Sequence, residues 1–235
     1  MYKNYEDVVD KEYLRHSLTR ELSSKSVLGL INSCTSTGKL LDIGCATGDF
    51  LKVAKNFGYS SEGLELSHWS AEIARKKGIE VYESRLKALA KKFPEKYDII
   101  TMLGVIEHFQ GPRDEMFYIN KLLKPDGILV IWTGNVDGVM SRILGRRWWY
   151  WQGQHIQYFT DKSLDYLASL TGFKHITTKR YPIAATYDQV CNSLNRYRHQ
   201  RYLMPLIKLL FLIKSIWYLR LPGEMLWLGR KTPGK

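Results

Sequence analysis

Apolar and polar positions along most of the chain fall into two alternating rhythms. Short apolar runs at Lys39–Ile43, Ser60–Glu65, Ile79–Tyr82, Tyr97–Leu103 and Gly127–Trp132 predict strands. Between them, Asp49–Phe57, His68–Lys77, Leu86–Lys92 and Arg113–Leu123 keep a helical spacing and stop at Gly58, Gly78, Pro94 and the turn Lys124-Pro125-Asp126-Gly127. The run YDIITML at Tyr97–Leu103 is apolar throughout, as a strand covered on both faces requires. Strands and helices alternating at this length predict βαβ units, a parallel sheet and right-handed crossovers. Ahead of them, Leu14, Leu18, Leu22 and Leu30 keep a roughly helical spacing before a polar break at Asn32–Gly38.

After Trp132 the rhythm changes. Gly134–Gln157 is irregular and contains Arg146-Arg147-Trp148-Trp149-Tyr150-Trp151. Thr160–Leu170 predicts a helix with an N-cap, ended by Gly172, and Phe173–Arg180 predicts a strand. A basic stretch follows, and Glu224–Arg230 predicts the last strand. The expected organisation is one domain over residues 1–235. It has a helical cap at 1–37, an insert at 134–159 and a basic apolar insert at 182–222.

Composition narrows the class. The 235 residues are 45% hydrophobic and 25% charged, enough for a buried core and against disorder, collagen or coiled coil. Cys34, Cys45 and Cys191 show neither zinc-ribbon nor CxxC spacing, which predicts a reducing compartment. The charged start MYKNYEDVVDKEY has no apolar h-region, so no signal peptide is expected, and no uncharged apolar run of about 20 residues predicts a membrane span. The expected location is cytoplasmic. The net charge is +12 and uneven. Gln189–Gly223 holds no acid but carries Arg196, Arg198, Arg201, Lys208, Lys214 and Arg220, while Gly134–Gln157 sets Arg142, Arg146 and Arg147 against Asp137. Basic charge so concentrated points to an anionic partner.

The chemistry begins at Leu41-Asp42-Ile43-Gly44-Cys45-Ala46-Thr47-Gly48-Asp49-Phe50, where a strand ends in Asp-x-Gly-x-x-x-Gly and a helix starts at once. Glycines there let the backbone turn tightly beside a ligand, next to the free N–H groups of the helix end. Glu65 closes the next strand 21 residues after Gly44, where an acid can accept from ribose hydroxyls. Together they predict a nucleoside-bearing ligand at the sheet's carboxyl edge. Neither G-x-G-x-x-G nor G-x-x-x-x-G-K-[ST] occurs, so dinucleotide and P-loop readings fall.

LLDIGCATGDF resembles motif I of the class I S-adenosylmethionine-dependent methyltransferases, and GLELS their ribose-binding second motif. YDIITMLGVIEHF is similar to their fourth-strand motif with its Glu-His pair. LLKPDGILVI is similar to their fifth-strand motif, with Asp126 in place of a glycine. GQHIQYFTDKSLDYLASLTGF resembles a further segment of one subgroup acting on surface polysaccharides and lipids. The likeness spans about residues 38–180 and the final strand. It implies a Rossmann-like, doubly wound, mostly parallel seven-stranded sheet with an antiparallel last strand, binding S-adenosylmethionine and releasing S-adenosylhomocysteine. It implies that Gly44, Cys45, Ala46 and Gly48 line the methionine and ribose, that Asp42 orients the loop and that Glu65 holds the ribose. Leu66, Arg85 and Leu86 would flank the adenine, with Leu103 and Gly104 beside the sulfonium.

Oxygen nucleophiles benefit from a general base. His155 and His108 are the candidates, with Glu107 to orient them or shape the turn. Gly104 stands three residues before Glu107, where metal-binding relatives carry an acid, so no metal is expected. Arg146, Arg147, Trp148, Trp149, Trp151 and Tyr158 would form a lid or acceptor wall, or meet a membrane interface. The stretch Tyr202–Leu221 suits an interfacial helix on anionic lipid or a core helix. The expected activity is methyl transfer, by preference to oxygen, on a small molecule or glycan, lipid- or nucleotide-linked. The alternatives are a quinone-type or other aromatic O-methyltransferase and a non-catalytic binding module. The expected assembly is a monomer or homodimer. A nucleic-acid substrate is disfavoured, since no Asn/Asp-Pro-Pro-Tyr-type motif occurs.

Overall fold

The structure, a computed structural model, describes residues 16–194, 208–209 and 215–232. Seven strands form one sheet: β1 (Lys39–Ile43), β2 (Ser60–Leu64), β3 (Glu80–Tyr82), β4 (Tyr97–Leu103), β5 (Leu123–Gly134), β6 (Phe173–Thr186) and β7 (Ile216–Lys231). Their order is β3-β2-β1-β4-β5-β7-β6. The first five pair in parallel, and β7 runs antiparallel between β5 and β6. This is the Rossmann-like arrangement expected, antiparallel last strand included. The order reverses between β1 and β4, so a crevice opens at their carboxyl ends.

Each face of the sheet carries its own core. Ile100 and Met102 on β4 pack with Leu89 of α4 (Leu86–Lys92), with Met116 and Ile119 of α5 (Pro112–Leu122) and with Leu164 of α7 (Asp161–Leu170). Ile99, their neighbour in sequence, points the other way. It packs with Val27, Leu28 and Ile31 of α1 (Ser17–Asn32), with Leu51 of α2 (Asp49–Asn56) and with Ala71 and Ala74 of α3 (His68–Lys76). Strand alternation turns one apolar run into two cores.

Three details go beyond the sequence reading. First, α1 forms where the leucine spacing predicts a helix, with Leu14 outside the described residues, but Leu18 is exposed and the inner face is Thr19, Ser23, Ser24, Val27, Leu28 and Ile31. The serines are inward because they do backbone work. Ser23 Oγ donates to the Thr19 carbonyl and accepts from the Ala184 N–H on β6 at 2.8 Å. Second, the basic insert is shorter than 182–222. Ile183–Thr186 pairs with Ile216–Leu219, so β6 and β7 both run past the predicted ends. Pro182 has no N–H, and the ladder slips in register between Arg180 and Pro182, a device tolerated on an edge strand. After β6 come α8 (Tyr187–Leu194) and the return at Ile216; most of the stretch 202–221 lies outside the described residues. Third, the irregular insert contains a short helix, α6 (Val139–Leu144).

Candidate active site

The glycine turn after β1 is built from left-handed residues, with Gly44, Ala46 and Gly48 at φ of 70°, 46° and 76°. Gly44 sits against the loop after β4, where a Cβ would lie 2.6 Å from Val105. The two loops flanking the crevice therefore touch, and only glycine allows it. Asp49, first residue of α2, is held by Arg20 at 2.7 Å and Lys77 at 2.5 Å, which fastens α1 over this edge.

Glu65 is buried at the end of β2. Its Oε2 accepts from the Ala46 N–H at 2.9 Å, and its Oε1 from the Leu66 and Ser67 N–H groups, both at 2.8 Å. The carboxylate thus orients the glycine loop, and Oε2 keeps lone-pair capacity for a ligand hydroxyl. Asp42 reaches instead across to β4, accepting from the Thr101 hydroxyl at 2.6 Å. Burial drives its carboxyl up to about 7, with Glu65 adding to the rise and the Thr101 bond opposing it. Cys45 is buried, and burial pushes its thiol up, so it stays protonated and unreactive. Leu66 stands exposed at the edge, Arg85 is exposed at the start of α4 and Leu86 is buried beneath it. Two buried hydroxyls on this side, Thr47 Oγ1 in the glycine turn and Ser84 Oγ after β3, have no partner among the described residues. A cradle of left-handed residues, an acceptor on Glu65 and orphaned hydroxyls beside it fit a nucleoside cofactor.

The other half of the crevice lies beyond β4 and β5. Gly104 (φ 75°) lets the backbone come against Trp132, whose ring would be 3.2 Å from a Cβ there. Trp132 stacks on Tyr181 of β6 with ring centres 4.2 Å apart. Leu103 packs on the same cluster. Trp132 Nε1 and Trp149 Nε1 each donate to one oxygen of buried Glu224, both at 2.9 Å.

Glu107 is buried in the turn after β4. Its carboxylate accepts from the Tyr150 hydroxyl and, at 3.2 Å, from the Thr133 hydroxyl. Its backbone carbonyl accepts from the N–H groups of Ile156 and Gln157 at 3.0 Å. His155 stands beside it, with Nδ1 2.8 Å from the Tyr150 carbonyl; His108 Nδ1 is 3.0 Å from the Gln154 carbonyl. A carbonyl only accepts, so both Nδ1 atoms carry the proton and both Nε2 atoms hold a lone pair. The rings meet edge to face at 5.0 Å. Burial lowers the basicity of His155 and His108 adds to this, while the Tyr150 carbonyl and Glu107 oppose it. One oxygen of Glu107 and one nitrogen of each histidine lie within 4.8 Å of one another.

The aromatic run does not form one wall. Trp148 and Tyr150 are buried inside the insert and stacked on each other, Trp149 is tied to Glu224, and Trp151 faces out with Tyr158. Trp148 therefore has no face for an acceptor. Arg146 and Arg147 are exposed on the short turn after α6. Sequence reasoning missed Thr133, Trp132, Tyr181 and Glu224 as site residues, because their grouping depends on pairing between distant segments.

A family model described as a methyltransferase domain matches residues 11–178. The chain belongs to this class I S-adenosylmethionine-dependent methyltransferase family. The methyltransferase domain is 32% identical over 108 residues to the mitochondrial ubiquinone biosynthesis O-methyltransferase of Schizosaccharomyces pombe, covering 43% of this chain and 39% of that one. It is 28% identical over 104 residues to the ubiquinone biosynthesis O-methyltransferase of Leptothrix cholodnii, covering 41% and 44%. The matched part spans about two-fifths of the length of these curated relatives. Among solved structures, a methyltransferase from Archaeoglobus fulgidus superposes with a TM-score of 0.65 at 20% identity, over 94% of this chain and 100% of that one. The 1,6-didemethyltoxoflavin-N1-methyltransferase of Burkholderia thailandensis, solved with bound S-adenosylhomocysteine, gives 0.60 at 16%, over 99% and 91%. At these identities the structures share the fold.

Proposed function

We propose that the protein transfers a methyl group from S-adenosylmethionine to a hydroxyl of a small-molecule acceptor. The observation that carries this reading is the pairing of the Glu65-braced glycine turn with a half-buried histidine that keeps a free Nε2 across the same crevice. S-adenosylmethionine, when bound, supplies a methyl already activated by its sulfonium. The chain's task is then alignment and exclusion of water. Glu65 accepts ribose hydroxyls, Gly44 and Gly48 make room, and Trp132 closes the crevice beside Gly104. The Nε2 of His155 takes the acceptor's proton, and its ring is held in register by the Tyr150 carbonyl.

Of the acceptor classes expected, a phenolic ring of the quinone-precursor type has the support. The curated relatives above bear that name, and the Trp132–Tyr181 stack is a flat apolar wall suited to a ring. Nothing comparable supports a glycan. No metal requirement is proposed, because Gly104 leaves the cluster with one carboxylate whose two oxygens already accept hydroxyl protons.

Calorimetric titration with S-adenosylhomocysteine tests the cofactor half. Micromolar binding is expected, weakened at least tenfold (~1.4 kcal/mol) by Glu65→Ala in protein that still melts cooperatively. No binding by folded wild type overturns the reading. Labelled methyl transfer to catechol-type quinone precursors and to nucleotide-linked sugars separates the acceptors, and transfer to sugars alone removes the aromatic reading. EDTA is expected to leave the rate unchanged; loss restored by a divalent ion would make Glu107, His108 and His155 its ligands.

A further inference from the structure

The insert between β5 and α7 closes on itself. Its base is joined by the Val136 N–H to the Phe159 carbonyl at 2.9 Å, and its interior is filled by Trp148 and Tyr150. Its outer side is apolar: Val139, Ile143, Trp151, Ile156 and Tyr158 are each between 37% and 68% exposed. Val139 and Ile143 share one face of α6. The Trp151 indole donates to the Gly145 carbonyl at the end of that helix at 2.9 Å, and the Trp151 and Tyr158 rings lie 4.5 Å apart. So large an exposed apolar set on one loop marks a contact surface. Between Gly134 and Thr160 the chain sets Arg142, Arg146 and Arg147 against one acid, Asp137, which lies 3.9 Å from Arg142, leaving a net charge of +2.

We propose that this loop is a membrane-docking surface whose partner is an anionic lipid bilayer. The polar ends of the outward aromatics suit burial against an apolar partner, and the arginines beside them favour an anionic bilayer. Trp151 Nε1 is satisfied by Gly145, and the Tyr158 hydroxyl donates to the Gln152 carbonyl at 3.2 Å. Both rings can therefore leave water without orphaning a donor, which is what the acyl boundary demands. Arginines among aliphatic and aromatic side chains suit the phosphate level of that boundary. A nucleic-acid backbone would leave Ile143 and Ile156 uncovered. A second basic stretch, the acid-free Gln189–Gly223, departs from the same edge of the sheet. β6 and β7 run past the end of β5, where Gly134 pairs with Glu224, and the chain leaves at α8 and returns at Ile216 beyond it. The surface borders His155, so docking would hold the crevice at the headgroup level, within reach of an acceptor carrying a lipid tail.

The test is flotation of the full chain with vesicles of phosphatidylcholine alone or containing about 30 mol % phosphatidylglycerol. Wild type is expected to float with the anionic vesicles only, and less so in high salt. Arg142→Glu and Ile143→Asp are each expected to lower partitioning, and together by at least tenfold. Lys91→Glu and Lys174→Glu, exposed at the opposite end of the sheet, are expected to leave it unchanged. Equal flotation with neutral vesicles, no flotation at all, or equal losses from both pairs of variants overturns the proposal, and so does undiminished flotation of the Arg142/Ile143 double variant. The proposal does not rest on the methyl-transfer reading, and S-adenosylhomocysteine titration of the same proteins reports on that reading separately.

Discussion

Asp42 is a buried acid whose one charge-relieving bond comes from a neutral hydroxyl, and stability should register this. Unfolded, the carboxyl ionises near 3.8; folded, it keeps its proton until about 7. Between those values the folded chain binds more protons than the unfolded one, so stability falls as pH rises through the window and is flat above it. The full effect is about 4 kcal/mol for so deeply buried a group. Asp42→Asn keeps an acceptor for Thr101 and removes the titration. Its melting temperature should gain on wild type between about pH 4 and pH 7; parallel curves would refute the shift. His155 makes a kinetic counterpart. Burial lowers it below its usual 6.5, so the imidazole stays neutral, and available as a base, into mildly acid solution. The acid limb of kcat/KM should have its midpoint below 6.5. His155→Ala should remove that limb and lower kcat/KM by about 10²–10⁴, while S-adenosylhomocysteine affinity holds. A limb that survives the substitution would assign the base elsewhere.

At the scale of elements, one carboxylate joins three segments. Glu224 on β7 receives the indole of Trp132 on β5 and of Trp149 in the insert. Burial raises its pKa, the two indole bonds oppose the rise, and Glu107 adds to it. Glu224→Ala would leave two indole donors without their acceptor, a cost of about 2–4 kcal/mol. The insert should loosen before the sheet does, seen as red-shifted tryptophan emission and faster amide exchange over 135–159 with little change in β1 and β4. Uniform loss of protection across the sheet would mean that Glu224 holds the core rather than the insert. This linkage was not legible in the sequence. Glu224 reads as the first residue of a predicted strand, and only the register Gly134↔Glu224 brings it beside the insert. Trp148, by contrast, reads like its neighbours Trp149 and Trp151, and polarity alone does not tell inward from outward in a loop. The glycine turn and Glu65 were legible because their chemistry is local, a strand end and the residues that follow it.

Over the whole molecule, what the sequence makes plain is what burial on both faces enforces. The parallel strands β1, β4 and β5 are apolar because helices cover both sides, so their runs are readable without partners. The edge strand β6 is amphipathic and carries Pro182, and β7 beside it carries Gly223, so both read as breaks where they continue. The same two-sided burial predicts how the chain unfolds. Ile99 and Ile100 are adjacent and fully buried, yet they belong to opposite cores. Each truncation to alanine should cost about 2–5 kcal/mol. Their side chains share no packing partner, so the double variant should lose nearly the sum of the two. Neither core can persist without the sheet between them, so each single variant should shift one calorimetric transition as a whole. A second transition split off by Ile99→Ala but not by Ile100→Ala would mean instead that the α1 face melts on its own, with the helix that Arg20 and Ser23 fasten over the crevice.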